Sequence, residues 1–66
     1  MRKFYLKNLH SGEVMECVQK GIGQPIEYRV IFSPRPEFAG IRGRLNPDFF
    51  EAMYGEILDF YIKEEM

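Results

Sequence analysis

The best strand pattern in this chain is the run IEYRVIF, residues 26–32, where Ile26, Tyr28, Val30 and Phe32 alternate with Glu27, Arg29 and Ile31. A repeat of two, rich in β-branched and aromatic residues, fits a pleated, half-buried strand. Two weaker alternations precede it. KFYLKNL, residues 3–9, sets Phe4 and Leu6 against Tyr5, Lys7 and Leu9, and EVMECVQK, residues 13–20, sets Val14, Glu16 and Val18 against Met15, Cys17 and Gln19. His10-Ser11-Gly12 between them has turn chemistry, because glycine adopts positive φ without steric cost. The short spacing makes the pair an antiparallel hairpin. GIGQP, residues 21–25, is the next break. Its Gly-x-Gly lacks the third glycine and the strand–helix context of a dinucleotide loop, so it reads as a turn.

A different periodicity, and the clearest element of the chain, begins at Asn46. An asparagine side chain caps a first helical turn, Pro47 suits the first helical position, and Asp48 and Glu51 lie where the helix dipole favours negative charge. DFFEAMYGEILDFYIKEEM then runs from residue 48 to 66 without a proline, interrupted only by Gly55, and the spacing predicts one C-terminal helix. On a wheel of about 100° per residue, Asp48, Glu51, Glu56, Asp59 and Lys63 share one side. The apolar residues cover about half the circumference, wider than the usual stripe of about 100°. A small sheet covers one stripe, so a flank carrying Phe49 and Phe60, or Leu58 and Ile62, is expected to meet a partner. The bland alternative is a twisted sheet that wraps the whole helix.

Between strand and helix lies SPRPEFAGIRGRLNP, residues 33–47. Pro34 and Pro36 make its first half stiff and extended. Residues 39–45 alternate again, with Ile41, Gly43 and Leu45 opposite Arg42 and Arg44, and read as a short edge strand weakened by glycine. The expected fold is therefore α+β: an antiparallel sheet of three to four strands (β-β-β-(β)-α) with one C-terminal helix packed on one face. Its expected core is Phe4, Leu6, Val14, Val18, Tyr28, Val30, Phe32, Phe50, Met53, Ile57 and Tyr61.

Length changes the picture next. Sixty-six residues make one domain, 1–66, and a chain of that size buries only about 60% of the surface its unfolded form exposes. Small domains usually add disulfides, a metal or a partner subunit. One cysteine, Cys17, forms no intramolecular disulfide, and with His10 it makes two soft ligands where structural zinc wants four. No cofactor or metal is implied, and association remains as the added source of stability. The basic start MRKFYLKNLHSG is broken by Lys7, Asn8 and His10 before reaching signal-peptide length, and no stretch approaches a membrane span, so the expectation is a complete cytoplasmic chain with no membrane partner.

Net charge is −1, but residues 1–45 carry eight cations and four acids while residues 46–66 carry one cation and six acids. Either the two parts neutralise one another across the fold, or one pole faces a charged partner. Candidate chemistry is sparse. His10 beside Ser11 lies on a turn with no acid placed against it. Cys17, mid-strand among apolar neighbours, reads as a buried filler rather than a nucleophile. No base, nucleophile and orienting group come together, and the chain reads as no enzyme.

The function expected is a non-catalytic interaction protein: a small regulator or inhibitor, homodimeric or bound to a larger partner through Phe49, Leu58, Phe60 and Ile62. Short chains of this kind are frequent among accessory proteins of phages and mobile elements. The alternative is nucleic-acid binding through Arg35, Arg42 and Arg44, with Arg29 near them and Tyr28 or Phe38 as stacking surface. An acidic pI near 5.8 weighs against that alternative, which requires the acidic helix to face away from the arginines.

Overall fold

The computed structural model describes residues 1–65. Five strands form one antiparallel sheet: β1 (Arg2–Asn8), β2 (Val14–Gln19), β3 (Ile26–Phe32), β4 (Arg42–Leu45) and β5 (Tyr61–Glu65), in the order β4-β3-β2-β1-β5. Two short helices, α1 (Pro47–Ala52) and α2 (Tyr54–Phe60), cross from β4 to β5 and lie over one face. The first four strands are a meander whose first two turns are those the sequence announces. Gly12 and Gly23 take φ of 79° and 77°. The side-chain oxygen of Asn8 accepts the N–H groups of His10 and Ser11 at 2.8 and 2.9 Å, which closes the first turn.

The expectation of three to four strands beneath a single C-terminal helix is corrected. The helix starts as anticipated, with the Asn46 side chain accepting from the N–H groups of Asp48 and Phe49 at 2.8 and 3.2 Å. It is interrupted at Met53 (φ −97°, ψ 6°) and ends at Phe60. Beyond that point Glu64 and Glu65 would sit at the negative end of the helix dipole, an unfavourable place for carboxylates. As an extended strand, the same residues satisfy the open edge of β1, pairing Tyr61 with Asn8, Lys63 with Leu6 and Glu65 with Phe4. Lys63 closes this corner: its ammonium donates to the Tyr54 hydroxyl at 2.9 Å, lies 3.3 Å from the Glu65 carboxylate and sits over the ring of Phe4.

The core is small. Phe4, Leu6, Cys17, Ile26 and Phe50 are buried in one cluster, with Met15, Tyr28, Leu45, Tyr54, Ile57 and Tyr61 packed against it, and Val30 is also buried. Phe4 and Phe50 meet at a ring-centroid distance of 5.7 Å. Three core assignments are corrected. The inward residues of β2 are Met15 and Cys17, opposite Leu6 and Phe4, so Val14 and Val18 point to the other face. A bulge pairs Met15 with Val30 but Val14 with Phe32, leaving Ile31 as the extra residue and carrying Phe32 to that outer face, where it is exposed. The segment expected to be extended around Pro36 forms one 3-10 turn, Pro36–Phe38.

Candidate binding surfaces

Because side chains alternate along each strand, the pairing registers define the residues of the sheet face opposite the helices. One row across it reads Arg42, Arg29, Glu16, Tyr5, Glu64, and the rows beside it read Arg44, Glu27, Val18, Lys3 and Phe32, Val14, Lys7, Ile62. Among the described residues no helix packs on this face. Glu16 is shared between Lys3 and Arg29, each at 3.5 Å, and Glu27 between Lys20 at 3.7 Å and Arg44 at 3.9 Å. The Glu16 carboxylate beside Lys3 raises its ammonium pKa above the ordinary 10.5. Arg42, directly opposite Arg29 on the neighbouring strand, forms no ion pair with a described acid. A shallow depression of about 500 Å³ runs between Arg29, Arg42, Arg44 and the two glutamates.

Gly43 permits β4 to pack here. It pairs with Tyr28, whose ring occupies the space a Cβ at residue 43 would need. Tyr28 therefore belongs to the helix-side packing, while it also borders the depression between the arginines. The aromatic residues on the arginine face are Tyr5 and Phe32 instead. Arg35 is also set apart from Arg42 and Arg44: its guanidinium lies over the ring of Phe38 at 5.9 Å, beside Ser11, Glu13 and Ser33. Of the arginine set read from sequence, the fold joins Arg42, Arg44 and Arg29 and leaves Arg35 outside. Lys3, Tyr5 and Lys7 join the face from β1, which only the strand order reveals.

The four apolar positions read from the sequence are all exposed: Phe49 57%, Leu58 39%, Phe60 53% and Ile62 48%. They do not share one helix flank. Phe49 and Leu58 belong to the helical layer. Ile62 lies on β5 opposite Lys7, and the same register extended by two residues places Phe60 opposite Leu9, whose N–H donates to the Phe60 carbonyl at 2.8 Å. Leu9, Phe60 and Ile62 thus form an exposed apolar corner at the β5 edge, with the His10 ring 5.8 Å from that of Phe60.

Elsewhere the chemistry is quiet. Burial pushes the Cys17 thiol up to about 11, so it stays a protonated core side chain near neutrality. Among the described residues no group of three or more His, Cys, Asp or Glu is arranged to hold a metal ion, and no helix is long and apolar enough to cross a membrane. Comparison with protein-family models, curated proteins and solved structures gives no match.

Proposed function

We propose that this chain is a non-catalytic interaction protein of the cytoplasm that works as a homodimer, joined at the corner formed by Leu9, Phe60 and Ile62. The observation that carries this reading is the exposure of those three side chains side by side, next to a small core, with six buried apolar residues among those described. The exposed surface, 4714 Å², is also above the about 4,400 Å² expected for a monomer of this mass. A two-fold interface uses one patch twice and needs about 600 Å² from each protomer. The strongly acidic outer side of α1 and α2 would repel its own copy. The β5 corner, with Lys7 opposite Ile62, the His10 ring beside Phe60 and Asp59 adjoining it in sequence, carries mixed charge and tolerates self-pairing. Phe49 and Leu58, among the helix acids, remain available to a larger partner with a basic rim, the role of a small regulator.

Sedimentation equilibrium over a hundredfold concentration range tests the dimer. The expected result is a reversible monomer–dimer equilibrium that persists at high salt and is abolished by Phe60→Asp, with the variant's thermal unfolding otherwise like wild type. A strictly monomeric wild type, or a dimer indifferent to both Phe60→Asp and Ile62→Asp, would overturn it.

A further inference from the structure

The open face of the sheet carries a second surface, with its arginines on β3 and β4. On β1 to β5 the open face presents five cations, Lys3, Lys7, Arg29, Arg42 and Arg44, against three carboxylates, Glu16, Glu27 and Glu64. The helical layer on the other side presents Asp48, Glu51, Glu56 and Asp59 and, between residues 47 and 60, no cation. The charge asymmetry along the sequence is thus an asymmetry between two faces, and the acidic helices do point away from the arginines. Within the basic face, Arg29 and Arg42 stand opposite one another on adjacent strands, an arrangement that disfavours the bare sheet unless an anion lies between them. Two glutamates serve four cations, and Arg42 is left for an outside charge.

We propose that this open face binds single-stranded nucleic acid, with the phosphates held by Arg29, Arg42, Arg44 and Lys3 and the bases laid on Tyr5 and Phe32. Guanidinium forks match phosphate oxygens, and aromatic rings on the same surface supply the stacking that sequence-tolerant single-strand binders use. Duplex DNA is the wrong shape for it. A major groove admits a helix or a two-stranded ribbon, whereas this surface is a broad sheet whose helices lie on the acidic side. The proposal does not rest on the dimer, although Ile62 of the β5 corner shares a row of the open face with Phe32 and so borders one end of this surface.

Fluorescence anisotropy with labelled mixed-sequence single strands, and with a hairpin duplex of the same composition, reads it directly. For four phosphates neutralised, raising salt from about 50 mM to about 200 mM weakens single-strand binding about 50-fold, and Arg42→Ala/Arg44→Ala flattens that to about sevenfold. Tyr5→Leu and Phe32→Leu each weaken binding about tenfold at constant salt slope, because each removes a ring and no charge. Ile22→Ser, on an exposed turn, leaves binding unchanged. Circular dichroism verifies that each variant is folded. Absence of binding at the lower salt, preference for the duplex, or equal binding to polyglutamate or anionic vesicles would each overturn the proposal, the last by showing a charged surface without base recognition.

Discussion

The two faces of the sheet are built from alternate residues of the same strands, yet they differ in nearly everything else. Phe4, Leu6, Cys17 and Ile26 look toward the helices and are closed off from solvent, while their neighbours Lys3, Tyr5, Glu16, Val18 and Glu27 look the other way. The inward face is held by packing, where a lost methylene leaves a void. The outward face is held by ion pairs of 3.5 to 3.9 Å that are largely solvated. Such pairs contribute about 0–1 kcal/mol each. Stability therefore comes mainly from one face, and the other is free to change without unfolding the chain.

The sharpest way to break that contrast is to truncate one phenylalanine on each side. Phe50→Ala, which removes the ring packed at a tilt against Phe4, is expected to cost about 3–5 kcal/mol in urea unfolding, a large share of a domain this small. Phe32→Ala on the open face should cost less than about 0.5 kcal/mol. Equal losses would mean that the open face is packed in solution. A smaller effect probes the seam between the faces. Gly43→Ala drives a methyl into the Tyr28 ring and should cost about 1–3 kcal/mol, partly relieved by adding Tyr28→Ala in a double-mutant cycle. The smallest effect is electrostatic. The hydrogen bond from Arg2 to Glu65, at 2.8 Å, and then Lys63, hold the Glu65 carboxyl below its ordinary 4.5. A carboxylate held low adds stability above its unfolded pKa and loses it as pH falls through the folded value. Acid titration of the melting temperature should thus show a slight loss below pH 4.5 that Arg2→Gln reduces.

The contrast was only half legible in the sequence. Arg42 and Arg44 announce their shared side by spacing alone, and Asn46-Pro47 marks a helix start that the structure reproduces. The facing of β2 was not readable: Val14 and Val18 on one side and Met15 and Cys17 on the other are both apolar enough for a core, and only pairing with Leu6 and Phe4 decides. Phe32 continued an alternation that a bulge shifts, and a bulge leaves no mark in residue type. The end of the helix was missed for a tertiary reason. Tyr61 to Glu65 fits a helical wheel and a strand equally, and the unpaired edge of β1 selects the strand. The open face was hidden for the same reason, since Lys3 and Tyr5 meet the arginines only once β1 and β4 are known to flank the same pair of strands.

The pairing of β5 with β1 also governs the order of events when the chain folds. Strands β1 to β4 meet through short local connections, whereas Arg2 and Glu65 are 63 positions apart. Closing so long a loop carries more entropy cost than closing a hairpin, and non-local pairings set the pace of folding. The meander and its turns are therefore expected to form early and β5 to dock last. Until it docks, KFYLKNL is an open hydrogen-bonding edge, the kind of transient species through which chains stick to one another. The last five described residues act as a latch, and their arrival ends the interval in which the chain is most vulnerable to its own copies.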